Sequence, residues 1–242
     1  QGGRECVSLG MIRVAKKNIM LVFGTRPEAI KMAPIVRAMR ADSDHFDVQV
    51  CVTAQHRQML DQVLRLFNIE PDIDLNLMRP DQDLFDLTAS TLTGMRDLFL
   101  QNKPEALLVH GDTTTALAAA MAGFYAGVPI GHIEAGLRTY NLHAPFPEEF
   151  NRQVVSKLTA WHFSPTSLSQ KNLLAEGVSE ESITVTGNTV IDALHWVLAR
   201  IDDDETTRAK LVSKLNSISR FDWCAKRFVL VTGHRRENFG DG

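Results

Sequence analysis

A carboxylate at the end of an apolar run is the residue in this sequence whose type and place first ask for chemistry. Glu134 closes the run Ile130–Glu134, and an acid there is costly to bury unless it is paired or faces a site. Other reactive groups sit in short polar stretches that each follow an apolar run. These are Gly24-Thr25-Arg26-Pro27-Glu28, Thr53-Ala54-Gln55-His56-Arg57, Gly111-Asp112-Thr113-Thr114 and Gly233-His234-Arg235-Arg236-Glu237. Glu148 and Glu149 follow Pro147 at a helix start. Carboxylates and a histidine suit proton transfer, whereas arginines and helix amino-ends suit a pyrophosphate.

Each group also has a purely structural reading. Thr25 and Glu28 have the spacing of a capping box, and capping is favoured over catalysis for Glu28. Asp112, taken alone, reads as the cap of a helix starting near Thr114. Acids at the start of a helix are favoured by its dipole, so either Glu148 or Glu149 is explained without a site. His110 and His132 lie within or at the ends of apolar runs and read as satisfied core histidines. His234, Arg235 and Arg236 also fit a surface turn. No GxGxxG is present, so a dinucleotide fingerprint is absent.

The elements that would position these groups alternate regularly. Apolar runs at Asn18–Phe23, Val48–Val52, Ala106–His110, Ile130–Glu134, Trp161–Ser164, Ile183–Thr186 and Phe228–Thr232 read as strands covered on both faces. Helical stretches lie between them at Ala29–Met39, Gln58–Phe67, Leu84–Gln101, Thr115–Ala126, Pro147–Leu158, Ser167–Glu176 and Thr189–Ile201. Asp72–Leu77 reads as a further short strand. Leu84, Leu87, Thr91, Met95 and Leu98 form one stripe at helical spacing, the mark of core packing. The alternation predicts an α/β fold, a doubly wound parallel sheet of Rossmann-like type. In such sheets ligands sit beyond the carboxyl ends of the strands, where the polar stretches fall. Pro34 should kink or break its helix, and the acidic run Asp202–Glu205 reads as a solvated surface turn. The expected organisation is a flexible tail at 1–17, a domain at 18–187 and the start of a second, incomplete domain at 188–242.

Composition sets wider bounds. The 242 residues carry a formal net charge of −3, so no global basic field points to nucleic acid or anionic lipid. Cys6, Cys51 and Cys224 match no metal spacing and read as reduced thiols of a cytosolic protein. The uncharged stretch from Thr113 to Ile133 is interrupted by Gly127-Val128-Pro129 and reads as helix, turn and strand, not as a membrane span.

At these positions the sequence resembles the bacterial non-hydrolysing UDP-N-acetylglucosamine 2-epimerases. The matching segments are FGTRPEAIKMAP at 23–34, VTAQHRQMLDQVL at 52–64, VHGDTTTALA at 109–118, GHIEAGLRT at 131–139, PFPEEFNR at 145–152, TGNTVIDAL at 186–194 and VTGHRREN at 231–238. The resemblance implies a two-domain, GT-B-type architecture with a cleft between domains. It implies inversion of carbon-2 in UDP-N-acetylglucosamine to give UDP-N-acetylmannosamine, through elimination of UDP and re-addition to a glycal, with no cofactor and no metal.

By motif, Asp112, Glu134, Glu148 and His234 look like the family's catalytic acids, bases and charge-stabilisers, without fixing which one takes the carbon-2 proton. Arg26 and Lys31 resemble its nucleotide-sugar contacts, together with Asp112, Glu134 and His234. Gln55, His56, Gln58, Gln82 and Arg235 match positions where bacterial members bind a second UDP-N-acetylglucosamine as activator. A cytoplasmic homodimer is implied as well. Phe146 stands where the family often has Trp. The family's carboxyl-terminal half has no counterpart here, so the chain by itself is expected to be inactive. A hydrolysing relative and a GT-B glycosyltransferase are the alternative readings.

Overall fold

The computed structural model describes residues 15–53, 57–77, 79, 81–223, 225 and 227–231, and at 57 and 58 the backbone alone. The expected tail lies almost wholly outside the described residues. The chain divides into two compact units after Ala193.

In the first unit the apolar runs pair edge to edge. Among the described residues, seven parallel strands make one sheet: β1 (Lys17–Phe23), β2 (Phe46–Val52), β3 (Ile73–Asp74), β4 (Ala106–His110), β5 (Ile130–Ile133), β6 (Trp161–Ser164) and β7 (Ile183–Val185). Their order is β3-β2-β1-β4-β5-β6-β7. The chain therefore winds outward from β1 through β2 to β3. It then returns to place β4 on the other side of β1, and continues outward. The switch point, where a crevice opens at the carboxyl ends of strands, lies between β1 and β4.

Helices cover both faces: α1 (Arg26–Ala41), α2 (Arg57–Leu66), α3 (Leu84–Gln101), α4 (Thr114–Tyr125), α5 (Glu148–Leu158), α6 (Ser167–Ala175) and the start of α7 (Val190–Asp203). The doubly wound α/β reading holds. Asp72–Leu77 contributes the two-residue β3, and β5 ends at Ile133, one residue before Glu134. The stretch from Thr113 to Ile133 is the cap, α4, a turn and β5, and no described helix is long and apolar enough to cross a membrane.

Side-chain size sets how closely the layers approach. Along α4, Ala116, Ala118, Ala119, Ala120, Ala122 and Gly123 are buried, so the helix lies close on the sheet, where Met20, Val22, Leu107, Val109 and Ile130 fill the core. Gly24, just after β1, is required by space: a β-carbon there would stand 2.1 Å from Thr53 Oγ1 and 2.9 Å from Thr115 Oγ1. On α3 the buried stripe is Leu87, Thr91, Met95 and Phe99; Leu98 packs at its edge and Leu84 is exposed.

Two expectations are met only in part: the break at Pro34 and the turn at the acidic run are not seen. Pro34 removes one helical amide, yet α1 runs unbroken through it. Met32, Ala33 and Val36 are fully buried on the face that packs on β1 and β2, and that packing outweighs one lost hydrogen bond. Asp202–Glu205 is solvated but is no turn. It spans the end of α7, Asp204 and the start of α8 (Glu205–Ile218), a helix the sequence reading missed. Asp204 caps α8 by accepting from the Thr206 and Thr207 amides at 3.0 and 3.1 Å.

In the second unit, residues 228–231 form no strand, contrary to expectation. Val229 is 87% exposed and Val231 84%. An extended segment needs a neighbouring ladder to become a strand, and none pairs with it among the described residues.

Candidate active site

The crevice at the switch point is built from the loops after β1, β4 and β5 and the start of α5. Thr25 caps α1: the Glu28 carboxylate accepts from the Thr25 amide at 2.7 Å and the Gly24 amide at 3.0 Å. The expected capping box is present. The other Glu28 oxygen accepts from the Thr113 hydroxyl at 2.6 Å, tying the loop after β1 to the loop after β4. Burial pushes the Glu28 carboxyl above its usual range, against the lowering effect of these donors.

Asp112 does not cap α4. Thr113 does, accepting from the Ala116 amide at 3.0 Å. Asp112 is thereby free to face the crevice, where its Oδ2 takes an ion pair from Arg152 Nη2. Asn151 Nδ2 donates to the Asp112 carbonyl at 2.8 Å, holding the backbone of the same residue. Burial raises the Asp112 carboxyl, Arg152 opposes this, and the negative charges of Glu134 and Glu148 add to the rise.

Glu134 adopts φ 65°, a left-handed backbone that is costly for a residue with a side chain and that clusters at functional sites. Its Oε2 accepts from Lys31 Nζ at 2.5 Å and from Asn188 Nδ2 at 3.0 Å. Its Oε1 lies 4.0 Å from His110 Nε2. The acid at the end of the apolar run is thus both paired and open to the crevice, with 12% of its side chain exposed.

The two acids at the start of α5 divide the structural and the cleft-lining roles. Glu149 is buried and accepts from the Thr139 and Tyr140 amides, both at 3.0 Å, and from Gln153 at 2.8 Å. Burial alone would raise its carboxyl, but those donors hold it below the usual range. Glu148 instead lines the crevice, a cavity of about 360 Å³ shared with Thr25, Pro27, Glu28, Lys31, His110, Asp112, Thr113 and Glu134.

The histidines on β4 and β5 also differ. His132 Nε2 lies 2.7 Å from the Gly111 carbonyl, which can only accept, so that nitrogen carries the proton. Its full burial and this bond fit the core reading, though its Nδ1 is without a partner. His110 differs in where its unpartnered nitrogen lies: Nε2 is 4.0 Å from Glu134 Oε1, and the residue lines the crevice.

The structure therefore brings Lys31, Asp112, Glu134 and Glu148 into one crevice. Arg26 is exposed at the first position of α1, beside the lining residues Thr25 and Pro27. Gln82 lies just before α3, where its side chain accepts from the Arg79 amide at 2.9 Å. Gln55, His56, His234 and Arg235 lie outside the described residues, as does the side chain of Gln58. Sequence reasoning passed over Arg152 and Asn188, and read His110 as a core residue only. Arg152 follows Glu148 and Glu149 by four and three positions on α5, the spacing that puts residues on one helix face, and that signal was readable. Nothing local marks Asn188. Among the described residues no cluster of His, Cys, Asp and Glu has the arrangement of a metal site.

Fold and crevice together define a Rossmann-like domain with an acid-lined ligand cleft at its topological switch point. The sequence matches the family model for UDP-N-acetylglucosamine 2-epimerase over residues 37–242. It is 54% identical over 225 residues to the UDP-N-acetylglucosamine 2-epimerase of Yersinia pestis, covering 93% of this chain and 58% of that protein. The fold is similar to the crystal structure of UDP-GlcNAc 2-epimerase from Neisseria meningitidis bound to UDP-GlcNAc, with TM-score 0.78 and 48% identity over 84% of this chain and 55% of that one. The Methanocaldococcus jannaschii UDP-GlcNAc 2-epimerase in complex with UDP-GlcNAc and UDP gives TM-score 0.74 and 32% identity, covering 81% of this chain and 53% of that one. The chain belongs to the UDP-N-acetylglucosamine 2-epimerase family. It spans 59% and 58% of the length of two curated relatives it matches.

Proposed function

We propose that the protein carrying this chain inverts carbon-2 of UDP-N-acetylglucosamine, giving UDP-N-acetylmannosamine by elimination of UDP and re-addition. The observation that carries this reading is the convergence of Asp112, Glu134 and Glu148 with Lys31 in one crevice at the β1–β4 switch point. The carbon-2 hydrogen is weakly acidic, so its base must be held in place. Positive charge grows on the ring as the diphosphate leaves, and fixed carboxylates stabilise it. Return of a proton from the opposite face calls for a second titratable group, and besides the capping Glu28 the crevice offers three carboxylates in different surroundings.

In this proposal Arg26, Lys31 and His234 contact the nucleotide sugar. Gln55, His56, Gln58, Gln82 and Arg235 form the site of an activating second substrate molecule. The second domain begins near 188, and the whole protein works as a cytoplasmic homodimer. Incubating the full-length protein with UDP-N-acetylglucosamine in deuterated water is the test. Deuterium at carbon-2 together with UDP-N-acetylmannosamine is expected. Stoichiometric free UDP would point to hydrolysis instead, and the absence of any exchange would end the proposal.

A further inference from the structure

His110 ends β4 at the floor of the crevice and is 3% exposed. Leaving a buried polar atom without a partner is unfavourable, and an apolar side chain would fill this position on a buried strand at lower cost. Yet Nε2 has no partner, and it faces Glu134 Oε1 across 4.0 Å. Gly111, the next residue, has no side chain to wedge between them; a β-carbon there would itself stand 3.8 Å from Oε1.

Two further facts define what this atom can do. With the ring proton on Nδ1, Nε2 presents a lone pair toward Glu134 Oε1. The imidazole stays neutral, because burial, with the nearby Lys31 charge, brings its pKa down to about 3. The charged or titratable groups around it are Lys31 on α1, Glu134 after β5, His132 on β5, and Asp112 and Glu148 across the same cavity. On Glu134 both described hydrogen bonds end on Oε2, from Lys31 and Asn188. A proton arriving at this carboxylate must therefore land on Oε1, the oxygen that faces His110.

We propose that His110 is the positioning residue for Glu134: its Nε2 lone pair receives the hydrogen bond from Oε1 once that oxygen carries the proton taken from the sugar. This deepens the epimerase reading and rests on it. In the step, the carbon-2–hydrogen bond breaks and its electron pair forms the ring double bond to carbon-1. The bond from carbon-1 to the diphosphate oxygen breaks, and UDP leaves with that pair. The proton ends on Glu134 Oε1, shared with His110 Nε2; a second carboxyl group of the crevice then protonates carbon-2 from the opposite face as UDP re-adds at carbon-1, and exchange with solvent returns both groups to their starting states.

The test uses the full-length protein with His110→Phe and His110→Gln. A misplaced proton acceptor costs on the order of 100-fold in rate. His110→Phe is therefore expected to lower kcat by about that factor with KM for UDP-N-acetylglucosamine within about twofold. His110→Gln, which keeps an acceptor, recovers about tenfold of the loss. Histidine-selective nitrogen-15 spectra are expected to show His110 neutral with an unprotonated Nε2 whose shift moves on Glu134→Gln. Equal losses in the two variants, an undiminished rate in His110→Phe, or a protonated Nε2 would each overturn the proposal. Should His110→Phe not fold, the His110→Gln kinetics and the wild-type spectra decide. If the wild-type protein exchanges no carbon-2 hydrogen, the epimerase reading fails while the spectra still judge the pairing of His110 with Glu134.

Discussion

Arg152, on the second turn of α5, holds the carboxylate of Asp112, which lies forty residues earlier on the loop after β4. The pair joins the two elements that supply Asp112 and Glu148 to the crevice. It also offsets the burial and the two neighbouring negative charges that push the Asp112 carboxyl upward. Arg152→Gln removes the guanidinium and leaves those opposing influences in place. Asp112 should then protonate at higher pH than in the wild type, so any activity requiring its anion shifts its acid limb toward higher pH. A drop in kcat of about 10- to 100-fold is expected. The pH dependence of kcat for Arg152→Gln, compared with Arg152→Lys, is the measurement.

The hold on Glu134 differs from that on Asp112. Glu134 has a left-handed backbone, and its carboxylate is held by Lys31 and Asn188, both on the same oxygen. Lys31→Met strips the charged partner from a carboxylate that is only 12% exposed. A hydrogen bond to a charged group contributes roughly 1.5–3 kcal/mol, so urea unfolding should register a loss of that order. Asn188→Ala loses one neutral amide donor and should cost about 1 kcal/mol. The ranking, Lys31→Met worse than Asn188→Ala, is what denaturation curves check.

Gly24 permits the close approach of β1, β2 and α4 on which the crevice floor depends. Adding one methyl group would drive it into the hydroxyls of Thr53 and Thr115. Gly24→Ala is expected to cost roughly 1–3 kcal/mol through overpacking. The nearer clash is with Thr53 Oγ1, so Gly24→Ala combined with Thr53→Ala should be more stable than Gly24→Ala with Thr53 intact. A double-mutant cycle in urea measures that coupling.

The sheet was legible because its strands are short apolar runs between helical stretches, and Thr25 announces α1 by its capping box. Asp112, Glu134 and Glu148 could be named as candidates, but not assembled. What joins them is Arg152 and Asn188, whose contacts span forty and fifty-four residues of chain, and no local pattern encodes a tertiary contact. Asp112 was misjudged as a cap because Thr113 beside it caps equally well, and the choice between them depends on where the chain turns. Helix α8 was hidden because its first turn overlaps an acidic run that reads as surface. Residues 228–231 looked like a strand because apolar β-branched composition signals a fitting side-chain surface, not the presence of a neighbour to pair with.

His132 supplies a pH dependence of a different kind. Its Nε2–H supports the Gly111 carbonyl next to Asp112, while burial above all, with Arg138 and the neighbouring histidines, brings its pKa down from 6.5 to about 3. The native protein therefore keeps this imidazole neutral, whereas the unfolded chain protonates it below 6.5. Proton uptake by the unfolded state alone means that stability is lost as pH falls, from 6.5 down toward the native value near 3. His132→Gln retains an N–H donor for Gly111 and removes the titration. Between pH 7 and pH 4.5 the variant should lose less stability than the wild type, although at pH 7 it starts lower from imperfect packing. Urea midpoints at the two pH values decide this. Parallel slopes for the two proteins would mean that the acid sensitivity arises elsewhere.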